Sequence, residues 1–129
     1  MTRIRRGALA LILLAAFAAP ALAADATGVW RGEVKLPNGN VLPFIARLTQ
    51  SGTTVAGRLD GIGGAPDVTI ADGKVEGDTV TFTGVRTIND ADVKFNYRAT
   101  FVDADTLDFT IVRDDGQQAP LKSLAKRER

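Results

Sequence analysis

Cysteine and histidine are both missing from this sequence. Their absence removes the commonest general base, the usual nucleophilic dyads and triads, and the usual zinc sites. It also removes any covalent staple, so stability has to come from packing and from paired backbone hydrogen bonds. Long apolar runs are scarce as well. The one present, ALALILLAAFAA at residues 8–19, is shorter than the roughly 20 residues a membrane-spanning helix requires. It follows Arg3, Arg5 and Arg6 and precedes Pro20 and the small residues ALA at 21–23, the three-part pattern of a secretory signal peptide. The expectation is therefore a leader over 1–23, removed on export to the periplasm or beyond, and one domain over 24–129 with a short basic C-terminal tail. That length supports a single core. No later stretch is apolar for long enough to cross a bilayer as a helix.

Three of the 16 basic residues lie in the leader and all 15 acidic residues lie after it, so residues 24–129 carry 13 bases against 15 acids, a formal charge of −2. The last eight residues, KSLAKRER, hold four bases and one acid, which reads as a solvated end or a contact for an anionic surface. There is no basic stripe of the kind nucleic-acid binding needs, and no such partner is expected.

From Thr27 onward the sequence alternates with period two. Trp30, Gly32, Val34 and Leu36 share a face, the PNGN at 37–40 makes a turn, and Leu42, Phe44, Ala46 and Leu48 continue on the same side. Val55, Gly57 and Leu59 follow, then the glycine-rich DGIGGAPD at 60–67, then Val68, Ile70, Val75, Val80 and Phe82. The clearest strand is VKFNYRATF, with Val93, Phe95, Tyr97, Ala99 and Phe101 on one face. Leu107, Phe109 and Ile111 repeat the pattern, and a last segment runs from Ala119 to about Arg127. No helical period is visible after the leader. The pattern predicts an all-β domain of about eight antiparallel strands with short connections. Closing them into an up-and-down barrel removes the open edges that a disulfide-free exported chain tolerates badly.

Gly28 and Trp30 match the Gly-x-Trp that opens the first strand of calycins, the superfamily of lipocalins, fatty-acid-binding proteins and avidins, and the terminal LAKR supplies the basic residue those folds place on the last strand. GVWRGEV, ARLTQSGTTVAGRL, IADGKVEGDTVTF and the final AKR also resemble small secreted lipocalin-like bacterial domains of unassigned function. The resemblance covers about residues 27–127. It implies a calycin-like barrel in which Trp30 closes one end while Arg127 or Lys126 lies across the indole, a cation–π contact of about 1–2 kcal/mol when shielded from water.

An eight-stranded barrel either fills itself or encloses one small ligand. The inward face mixes Phe44, Phe82, Phe95, Tyr97, Phe101 and Phe109 with Gly32, Ala46, Gly57, Gly84 and Ala99. The small residues mark a cavity, or else a flattened barrel and its bend points. If a cavity exists, Phe95, Tyr97 and Phe109 are its candidate walls. Arg113 follows the inward phase of Leu107, Phe109 and Ile111, either as an inward residue resembling by position the carboxylate-binding arginine of fatty-acid-binding proteins, or as a strand end reaching solvent.

Most carboxylates fall in turns, where aspartate is favoured for local backbone hydrogen bonds. Asp103, Asp105 and Asp108, or Asp90 with Asp92, lack the ligand order and glycine of a calcium loop. The glycines at 61–64 lead into no helix and so do not form a phosphate-binding loop. No metal, cofactor or catalytic group is expected. Three readings remain: an exported barrel binding a small apolar or amphipathic molecule, a non-catalytic envelope-associated interaction module with a solid core, and, behind both, a carboxylate-dependent enzyme, which needs an aspartate or glutamate buried next to a cavity with a raised pKa.

Overall fold

A computed structural model describes residues 25–128. The leader expected over 1–23 lies outside the described residues. Nine strands form: β1 (Gly28–Lys35), β2 (Val41–Ser51), β3 (Thr54–Leu59), β4 (Val68–Thr69), β5 (Ala71–Glu76), β6 (Thr79–Ile88), β7 (Ala91–Asp103), β8 (Thr106–Arg113) and β9 (Leu121–Arg127). Among the described residues there is no helix. β4 and β5 are one strand interrupted at Ile70, whose N–H donates to the Gly57 carbonyl (3.1 Å). The wall thus has eight strands, all antiparallel. The order β2-β1-β9-β8-β7-β6-β5-β3-β4, with a further β2–β3 pairing, closes the sheet on itself. This is the closed up-and-down barrel that the alternation predicts.

The alternation sets which side of each strand is buried. Phe44, Ala46 and Leu48 of β2, Val93, Phe95, Tyr97 and Ala99 of β7, and Leu107, Phe109 and Ile111 of β8 all point into the core. Turn chemistry sets the register. The β6–β7 hairpin pairs from Thr79–Thr100 to Ile88–Ala91 around Asn89 and Asp90, both at positive φ (52° and 67°). These are the residue types that a two-residue hairpin turn with positive φ at both central positions accepts. Glycine is obligatory at position 57. Its φ is +148°, and a Cβ there would sit 1.9 Å from the Arg47 carbonyl oxygen of the neighbouring strand.

The hydrogen-bonded walls differ in width. β6–β7 and β7–β8 pair along most of their length. β1 and β9 pair only at Trp30–Arg127 and Arg31–Lys126, and β3 meets β5 only at Thr54–Lys74 and Val55–Gly73. The barrel therefore closes along two narrow seams. The basic C-terminal run forms one side of the first: Lys122 and Lys126 lie on the outer face of β9, while Arg127 turns inward, so most of the run is a closing strand and not a loose end.

At that end the barrel is sealed. Trp30 is fully buried, with its indole edge-to-face against Phe101 (6.0 Å between centroids), and its Nε1–H donates to the Ala26 carbonyl (2.8 Å). Above this plug lies a layer of rings. Tyr97 stacks on Phe82 (4.9 Å, 20°), and Phe109 meets Phe44 edge-on (4.9 Å, 69°). Such offset-stacked and edge-to-face pairs each add about 0.5–1.5 kcal/mol beyond the area they bury.

Candidate functional site

Above the aromatic layer, in the half of the barrel opposite Trp30, the strands line an open-mouthed cavity of about 290 Å³. Its wall is largely aliphatic and aromatic: Val34, Leu36, Leu42, Phe44, Ile88, Phe95, Tyr97, Ile111 and Leu121 all line it. All but Leu36, which directly follows β1, hold the inward phase of their strands. Ile62, from the long 60–67 connection, completes the wall from outside the strands.

Three polar side chains stand among these groups: Arg86, Arg113 and Gln118. Arg113 ends β8 opposite Phe95 of β7. Its Nε–H is shared between the two carboxylate oxygens of Asp115 (2.9 and 3.0 Å). Asp115 also accepts the Gln117 backbone N–H (3.0 Å). That backbone bond foremost, helped by the arginine, holds the Asp115 carboxyl below the usual range. The charge of Arg113 is thereby met within the protein.

Arg86 differs. It occupies the inward phase of β6, two residues beyond Gly84 and two before Ile88, and is partly buried. Among the described residues no carboxylate pairs with it. It lies beside the Tyr97 hydroxyl, where its charge favours the phenolate, yet burial dominates and pushes the Tyr97 phenol above its ordinary value. Tyr97 is 3% exposed and neutral at physiological pH.

The connection at 60–67 is pinned at both ends. Arg47 holds Asp60 with two hydrogen bonds, Nε to Oδ1 (2.7 Å) and Nη2 to Oδ2 (2.9 Å). Asp67 accepts the Gly61 N–H (2.8 Å) and pairs with Arg58 (3.1 Å). Gly61 is needed because a Cβ there would lie 1.8 Å from the Ala65 carbonyl oxygen. These contacts fix Ile62 at the cavity wall. On its other side the loop encloses a second hollow of about 250 Å³ that shares Ile62, Arg86 and Ile88 with the first.

Of the residues singled out from sequence, the fold brings Phe95, Tyr97 and Arg113 together on the cavity wall. Phe109 lies one layer lower, fully buried against Phe44 and Phe82. Trp30 and Arg127 meet at the opposite, sealed end. None of the inward-facing small residues Gly32, Ala46, Gly57, Gly84 and Ala99 lines the cavity. The glycines among them are close-approach points, as where a Cβ on Gly32 would fall 2.6 Å from Ser123 Oγ. Arg86, Ile62 and Gln118 are lining residues that the sequence reading did not single out. For Arg86 the signal existed, since Val80, Phe82 and Gly84 set a phase that continues through it.

The acidic groups considered as metal ligands have local roles. Asp103 accepts the Asp105 N–H (2.9 Å), Asp105 binds Arg127, and Asp108 pairs with Lys122 (3.4 Å). Among the described residues, no group of three or more acidic side chains is placed to hold a metal ion.

No family model matches the chain, and neither the curated proteins nor the solved structures gave a match.

Proposed function

We propose that this is an exported, calycin-like barrel that binds one small apolar or amphipathic molecule in its open half. The observation that supports it is the cavity itself. A hollow of about 290 Å³ with an apolar wall and a few polar groups near Arg86 and Arg113 has the composition of a ligand site, at the lower end of the roughly 300–1,000 Å³ usual for one. The sealed end, with its plug and aromatic layer, forms the rigid floor that such a site needs. Export is supported by the basic, apolar and small-residue segments of residues 3–23. Membership of the calycins is supported by the Gly28–Trp30 pair, the basic residue on the last strand and the barrel topology.

The test is native mass spectrometry of protein purified from its own host, compared with the same sample after denaturation. A discrete additional mass that disappears on denaturation is the expected result. Bare protein, together with calorimetry showing no uptake of small apolar alcohols, overturns the proposal. Ile111→Phe directs a larger side chain into the hollow, and is expected to abolish uptake at a stability cost no greater than the roughly 1–3 kcal/mol of added core volume.

A further inference from the structure

The two guanidinium groups beside the cavity are not equivalent, and the difference specifies the charge of the occupant. Arg113 already has an anion in Asp115. Arg86 has none among the described residues, although it is partly buried among Ile62, Ile88 and Tyr97. A guanidinium held against apolar walls loses hydration, and the neutral Tyr97 hydroxyl beside it meets a hydrogen bond but not the charge. An oxyanion arriving with the ligand supplies that compensation. It gains a charge-assisted hydrogen bond in a partly desolvated setting, where such bonds are about twice as strong as neutral ones. The neutral Tyr97 hydroxyl beside Arg86 offers a second donor to the same anion.

Volume sets the second limit. At about 30 Å³ for each water-sized group, a cavity of about 290 Å³ holds roughly ten non-hydrogen atoms. The floor formed by Phe44 and Tyr97 is the top of a packed aromatic layer, so the space does not extend deeper into the barrel. We propose that the occupant is a compact monoanion, a short-chain or single-ring carboxylate or similar oxyanion, whose head group is held by Arg86 at the cavity mouth and whose apolar body rests on Phe95 and Tyr97. A longer acyl chain finds no further apolar wall inside the barrel and so gains no additional burial there. This inference rests on the reading of the cavity as a ligand site and adds the sign, number of charges and size of what fills it.

The experiment is isothermal calorimetry of the full exported domain with four probes: octanoate, octanol, octylamine and hexadecanoate. Octanoate is expected to bind one per chain, about ten- to a hundredfold more tightly than octanol, the range a charge-assisted hydrogen bond supplies. Octylamine is expected to bind most weakly, and hexadecanoate no more tightly than octanoate. Arg86→Gln is expected to remove the tenfold or larger difference between octanoate and octanol, with circular dichroism confirming the fold. Arg98→Gln, on the outer face of β7, controls for lost net charge and is expected to leave the preference in place. Equal affinity for octanoate and octanol overturns the inference while leaving the cavity reading intact. So does an equal loss in Arg86→Gln and Arg98→Gln, or tighter binding of hexadecanoate. If no probe binds, octanol included, the cavity reading fails and the inference fails with it.

Discussion

The guanidinium carbon of Arg127 lies 4.4 Å from the centroid of the Trp30 ring, and the same two residues are register partners across the narrow β1–β9 seam. From that position Arg127 donates to Asp105 Oδ1 (2.9 Å) and to the backbone carbonyls of Asp25 (2.7 Å), Ala104 (2.8 Å) and Thr27. One side chain thus joins the first described residues, the β7–β8 turn and the plug.

Trp30→Ala is expected to cost about 3–5 kcal/mol, because it empties a fully buried site. Arg127→Ala is expected to cost roughly 2–4 kcal/mol through the ring contact and the carbonyls left without a donor. Arg127→Lys should recover only a minor part, since an ammonium cannot span three carbonyls and a carboxylate as a planar fork does. Urea unfolding followed by circular dichroism measures all three. Losses below about 1 kcal/mol for both Trp30→Ala and Arg127→Ala would show that the seam does not depend on this pair.

Much of this closure was legible in the sequence, while the cavity mouth was less so. Period-two alternation identifies the inward face of every strand, because side chains of a sheet have only two directions. Trp30 and Arg127 were found through a short motif whose two halves lie at the ends of the chain. Alternation does not encode depth. Phe95 and Phe109 both point inward, but stagger between tilted strands puts one on the cavity wall and the other in the layer beneath. Ile62 and Gln118 lie in connections, where no period applies and position follows from pinning contacts such as Arg47–Asp60.

Gly57→Ala is expected to destabilise the barrel by roughly 3 kcal/mol or more. Both the positive φ and the approach to the Arg47 carbonyl oppose a side chain. Gly63→Ala, in the 60–67 connection, shares the positive φ but has open space around it, and should cost only the strain, about 1 kcal/mol. Thermal melts of the two variants separate steric exclusion from conformational strain.

Asp60 gives the barrel an acid-sensitive contact. Its hydrogen bonds from Arg47 hold its carboxyl below the ordinary value, so folding favours the ionised form. The resulting stability is fully present above the unfolded pKa of about 4 and is lost as pH falls through the lowered folded value. Melting temperatures recorded downward from pH 7 should therefore fall less steeply for Asp60→Asn than for the unaltered chain. Parallel curves would place the acid sensitivity elsewhere.

Tyr97 acts at the other extreme. Burial raises its pKa, so the unfolded chain loses the phenol proton before the folded one does. Stability is complete below about pH 10 and declines above it, where ionisation draws the equilibrium toward the unfolded state. Because the chain has a single tyrosine, phenolate absorbance follows this group alone. Its midpoint is expected above that of the urea-unfolded chain, and Tyr97→Phe should remove the alkaline loss of stability.

The placement of Trp30 at the sealed end and of Tyr97 at the cavity wall divides the protein's intrinsic optical reporters between its two halves. Indole emission responds to the state of the seam, where Arg127 and Phe101 surround the ring. A molecule bound as proposed, resting on Phe95 and Tyr97, would not touch that ring. Occupancy of the open half is therefore dark to tryptophan fluorescence, and an emission change during a ligand titration would report the barrel loosening at its closure.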